Sequence, residues 1–191
     1  MRRSLAIGAA FLLAGAGLAA SAGQAAAKPH RADAATPADT CSTPWGSSVK
    51  SAAGGNVEPL TGIRVGRHTC FDRMVFDVGG ATDPVGYHVS YVDAFHQDGS
   101  GDPIPVGGGA VLQIFVSAPS YDPATMRRVY PGRAGEPLPG VDLAGFATFR
   151  DTKFGASFEG QTQVGLGVRA RLPFRVLQSE GKLIVDVAHK W

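Results

Sequence analysis

From residue 57 onward, turn residues interrupt the chain so often that no apolar stretch is long enough for an ordinary helix. Gly79-Gly80, Asp83-Pro84, the run Asp98 to Pro103, Gly107-Gly108-Gly109 and Glu180-Gly181 divide it into short segments. Those segments are rich in Val, Ile, Phe and Tyr, which suit a pleated, half-buried surface. Strands are expected over 60–65, 70–78, 86–92, 110–116, 145–149, 158–171, 172–177 and 182–188. Tyr87-His88-Val89-Ser90-Tyr91 alternates apolar with polar residues, as in a strand with one face in the core. Residues 110–116 are more uniformly apolar and read as a central strand. Strand after strand with such turns predicts an all-β fold, a single β-sandwich or partly open barrel, mostly antiparallel. The 135 residues of 57–191 suffice for one core.

The first 56 residues read differently. Arg2 and Arg3 precede an apolar run over 5–20, and Ala25-Ala26-Ala27 then offers small residues for cleavage. Residues 1–27 are therefore expected to be a secretory signal peptide. The apolar run is short and Gly-containing, so no membrane span is expected after processing. Residues 28–56 are rich in Ala, Pro, Ser and Gly without an apolar period, and read as a tail or linker. The formal charge of +2 comes from Arg2 and Arg3, so the remainder is near neutral. Nucleic acid is not an expected partner, because phosphate binding needs a clustered surplus of Lys and Arg.

Cys41 and Cys70 are the only cysteines. In an oxidising compartment they are expected to pair, which would stabilise by roughly 3–4 kcal/mol in the chain-entropy model. The bridge would pin the tail to the domain and let Trp45 cover an apolar edge. Trp45 is also a candidate sugar platform.

On a strand over 70–78, Asp72 shares a face with Met74 and Phe76, while Arg73 shares the other with Val75 and Asp77. Both faces are mixed, so Asp72 and Arg73 cannot both be fully solvated in a central strand, and one or both should have a partner: an ion pair, or for the carboxylate backbone N–H groups near the His68-Thr69 turn. A ligand contact or a general acid is the functional alternative. Asp186, between Val185 and Val187, raises the same question, with Arg73 or Arg175 as candidate partners. The histidines form no HExxH pair and the serines no G-x-S-x-G elbow, so neither a metal site nor a cofactor is expected. Asp98, Ser100 and Asp102 have the oxygen spacing of a calcium loop, but Gly109 stands where its bidentate acid belongs, so a polar hairpin turn is expected. Gly165 and Gly167 alternate in a candidate strand, which allows a backbone or an aromatic cover to come close.

The segments 66–78, 85–92, 108–116, 154–168, 172–177 and 182–188 resemble the AMIN-like domain of actinobacterial secreted proteins and lipoproteins. The most specific pieces are His68 with Phe71-Asp72-Arg73, Phe158-Glu159-Gly160, and Pro173-Phe174-Arg175-Val176. The resemblance implies a β-sandwich similar to AMIN domains, which localise wall amidases and secretion-pore proteins in the envelope. It assigns no active-site residues. The expectation is a secreted, extracellular or wall-associated, non-enzymatic domain that binds peptidoglycan or an envelope protein. Trp45, Tyr87, Tyr91 and Tyr121 are its candidate binding residues. Cys41, Cys70, Asp72, Arg73 and Asp186 are its structural ones. The alternative is a small secreted hydrolase or enzyme inhibitor with a loop site around 121–140.

Overall fold

The computed structural model describes residues 41–191 and forms two antiparallel sheets packed as an open sandwich. Its strands are β1 (Lys50–Ala52), β2 (Leu60–Arg67), β3 (Phe71–Val78), β4 (Tyr87–Val92), β5 (Ala110–Val116), β6 (Phe149–Phe158), β7 (Gln161–Val168), β8 (Phe174–Ser179) and β9 (Lys182–Ala188). The first sheet has the order β1-β4-β5-β7-β6 and the second β2-β3-β9-β8. No helix occurs among the described residues. The all-β sandwich follows from the pattern of short segments and turns.

Alternation places the core between the sheets. Met74, Phe76 and Val78 of β3, Leu183, Val185 and Val187 of β9, and Leu112, Ile114 and Val116 of β5 are all buried there. Burying a side chain of this size stabilises by about 1.5–3 kcal/mol, which makes this two-sided apolar layer the main favourable term of the fold.

Three boundaries differ from the sequence reading. Lys50–Ala52, inside the stretch read as a linker, pairs with β4 through Lys50↔Val89 and Ala52↔Tyr87. The segment expected as one strand over 158–171 is the turn at Glu159-Gly160 followed by β7. The strand expected over 145–149 begins only at Phe149 and runs on to Phe158.

The glycine alternation in β7 explains how the first sheet's outer face is covered. A Cβ at Gly165 would lie 3.0 Å from the Phe95 ring, and one at Gly167 only 1.8 Å from the Gly107 carbonyl oxygen. The loop over 93–109 thus lies directly on bare backbone. Gln163 anchors it, accepting from the Asp98 N–H and donating to the His96 carbonyl. Asp98, Ser100 and Asp102 form the turn of this loop, closed by the His96↔Pro103 bridge. Gly167→Ala is expected to cost about 1–3 kcal/mol, because a backbone carbonyl has no rotamer by which to yield. Urea unfolding checks this, and a midpoint equal to wild type would mean that the loop lifts without cost.

The connection over 117–148 contains no named strand, yet it is held closely. Its Tyr130 and Leu138 join the core, and the Phe154 N–H donates to the Glu136 carbonyl at 2.9 Å, covering part of the β6 edge. Burial pushes the Tyr130 hydroxyl up to about 12.

Candidate functional site

The charged residues singled out in the sequence separate onto two faces of the second sheet. On the outer face, Asp186 is wholly buried and takes a two-pronged hydrogen bond from Arg73, at 2.7 and 2.9 Å, and a third from Arg175 at 2.9 Å. The register makes this arrangement, since Arg73 and Arg175 flank Asp186 on either side of β9. The guanidinium fork matches a carboxylate's geometry, so these are strong contacts. They hold the Arg73 guanidinium more firmly protonated than usual. Both expected partners of Asp186 are therefore present at once.

Residues 41–48 cross this face. The Phe174 N–H donates to the Gly46 carbonyl at 2.9 Å, and Trp45 sits 4.3 Å from the Arg175 guanidinium, edge-on to Phe71. The Cys41–Cys70 bridge is formed and fixes the segment. Trp45 thus packs over Arg175 and against Phe71. Reduction breaks none of the strand pairings, so its cost should fall below the chain-entropy ceiling, at about 2 kcal/mol. Thermal melts with and without reductant measure this. Sheet signal in circular dichroism should survive, and an unchanged melting temperature would show that packing alone holds the segment.

Asp72 lies on the inner face and does not pair with Arg73. Its Oδ2 accepts from the N–H groups of Thr148 at 2.6 Å and Phe149 at 3.1 Å, and its Oδ1 lies 3.0 Å from His189 Nε2. It caps backbone N–H groups as one sequence reading held, but those of 148–149 rather than the neighbouring turn. This clasp joins the two sheets, because Phe149 opens β6 of one and Asp72 belongs to β3 of the other. With two amide donors on the carboxylate, Nε2 supplies a third, and Nδ1 is left as the ring nitrogen for other contacts.

Above the clasp opens a cleft of about 550 Å³, lined by Arg67, His68, Thr69, Asp72, Gly145 and His189 among others. Four segments build it: the end of β2, the turn into β3, the loop before β6, and the residue after β9. The His68 ring stacks on Phe71 with centroids 4.4 Å apart, which fixes its position beside the cleft. Arg67 lies close over Gly145, where a Cβ would stand 2.9 Å from Nη1. Gly145 has φ 76°, a conformation that glycine adopts without strain.

The candidate aromatic platforms do not converge. Tyr87 and Tyr91 share the inward side of β4 and pack against the core. The Tyr91 hydroxyl donates to the Leu172 carbonyl and accepts from its N–H, and burial raises its pKa. Tyr121 is half-buried in an isolated bridge with Arg128. Trp45 belongs to the arginine stack instead. Arg67, Gly145 and His189 were not singled out as site residues, because their proximity depends on β3 pairing with the last strand. Given that pairing, Asp72↔Val187 places His189 two residues further along the same face. Among the described residues, no three His, Cys, Asp or Glu side chains are grouped to hold a metal ion.

A search of characterised proteins and of solved structures returns no match. A family model, the AMIN-like domain, matches residues 58–189, which takes in β2 through β9 and every residue of the cleft. The chain belongs to the AMIN-like domain family.

Proposed function

We propose that this is a secreted, non-enzymatic domain that works in the cell envelope by binding peptidoglycan or a wall protein. The observation that carries the reading is the open polar cleft at the disulfide end, where Arg67, His68 and His189 meet on a frame held by the Asp72 clasp. Family membership supports the envelope as its place of work. The Cys41–Cys70 bridge fits an oxidising compartment, and residues 1–27 have the order of a secretory leader.

An open cleft leaves much of a ligand wet, so affinity should be micromolar or weaker. The near-neutral charge predicts only a few-fold loss of binding between low and high salt, against about 10³-fold or more for a polyphosphate binder. Cosedimentation with purified peptidoglycan at both salt concentrations tests this. Absence of the protein from the pellet at either salt would move the reading to a protein partner.

The Asp72–His189 pair favours a second reading, a small hydrolase. A carboxylate that orients an imidazole in a cleft is the supporting part of a general-base device. Incubating the same peptidoglycan with the protein for a day distinguishes the two. Released soluble fragments would favour hydrolysis.

A further inference from the structure

We propose that the cleft above the Asp72 clasp is a carboxylate-binding site, anchored by the Arg67 guanidinium and flanked by the imidazoles of His68 and His189. The proposal rests on the binding reading above and names the chemistry of the ligand: a free carboxylate, carried by a peptide terminus or by an acidic sugar.

The arginines of the second sheet make the case by contrast. Arg64 is paired with Asp77 at 2.8 Å, and Arg73 and Arg175 share Asp186. The side chain of Arg67, on the same strand as Arg64, makes no ion pair or hydrogen bond among the described residues, although it lies in a cleft beside an acid. That acid is no partner for it. Asp72 is wholly buried, with one oxygen on two amide N–H groups and the other on His189. Both of its oxygens are already engaged by donors of the frame, so it leaves the Arg67 guanidinium without an acid partner.

The shape of the cleft agrees. Gly145 leaves the space in which the Arg67 guanidinium lies, so the anchor rests against the wall of the cleft while staying open to solvent. His68 is oriented by its stack on Phe71, and His189 by Asp72. A planar guanidinium presents paired N–H donors that match the two oxygens of a carboxylate. A volume of about 550 Å³ suits a ligand the size of a dipeptide or one sugar acid.

NMR titration of the purified protein tests this with four probes: N-acetyl-alanyl-alanine, its C-terminal amide, glucuronic acid, and its methyl ester. Free acids should shift the resonances of Arg67, His68 and His189, and the neutralised partners should not. The acid that binds more tightly identifies the source of the carboxylate. Arg67→Gln should weaken acid binding about tenfold, the ratio expected from losing one charge-assisted contact. Arg67 is exposed, so the variant should keep its dispersed spectrum. Equal shifts with acid and neutral probes, or wild-type affinity in Arg67→Gln, would overturn the site. Wall binding is scored separately. An Arg67→Gln protein that still pellets fully with peptidoglycan sinks the cleft as the contact and leaves wall binding standing. A wild type that binds the acids but not the wall does the reverse.

Discussion

Replacing Arg73 and Arg175 together with methionine is expected to destabilise the domain by about 3–5 kcal/mol, the range seen when a buried charge loses its partners. Asp186 is wholly buried, while the two arginine side chains are 26% and 34% exposed. The asymmetry decides where the cost falls. An arginine that loses Asp186 can turn to water, but Asp186 without its arginines has nowhere to go. Methionine keeps the apolar stem against Phe71 and Trp45, so the loss reports on charge rather than on packing. Arg175→Met alone should cost only about 1 kcal/mol, because Arg73 still holds both carboxylate oxygens. Adding Asp186→Leu to the double variant should recover most of the stability, since an apolar residue removes the stranded charge. Urea unfolding of the four proteins gives the comparison. A double variant as stable as wild type would show that water reaches Asp186 and that the arginines serve another purpose.

Much of this frame can be read from the sequence, because it depends on local pattern. The alternation Val185-Asp186-Val187 marks a carboxylate among core neighbours, and Arg73 and Arg175 are its natural partners. The Cys41–Cys70 bridge follows from there being two cysteines in a chain with a leader-like start. The glycines at 165 and 167 announce a close approach, which the structure fills with Phe95 and the Gly107 backbone. What cannot be read depends on distant pairing. Lys50-Ser51-Ala52 has no strand pattern of its own and becomes β1 only because β4 offers it a ladder. Asp72 finds its amide donors 76 and 77 residues away, in a loop whose path no periodicity predicts. The cleft needs four segments to meet, and Arg67 is notable only once its neighbours are known to be paired.

Asp72→Ala is expected to cost about 3–5 kcal/mol, because it strands two buried amide N–H groups, at about 1–3 kcal/mol each, and removes the partner of His189. For a domain of this size that corresponds to a fall of roughly 10 °C or more in melting temperature. The two N–H groups belong to Thr148 and Phe149, and the same stretch is tied to the last strand by the Thr148 hydroxyl donating to the Ala188 carbonyl. Losing the carboxylate therefore loosens the junction between the sheets, not just one side chain. Asp72→Asn separates the contributions. Its amide oxygen can still accept from both N–H groups, while its NH₂ meets a ring nitrogen that must change tautomer to accept from it. A loss of about 1–2 kcal/mol is expected there, within the ordinary range for a disturbed hydrogen bond. His189→Ala should cost less than Asp72→Ala, since Asp72 keeps its amide donors. A ranking with Asp72→Ala worst, Asp72→Asn intermediate and His189→Ala mildest is the signature of a clasp whose main contacts are to backbone. If His189→Ala proved as damaging as Asp72→Ala, the imidazole would be the principal partner, and the hydrolase reading would gain on the binding one.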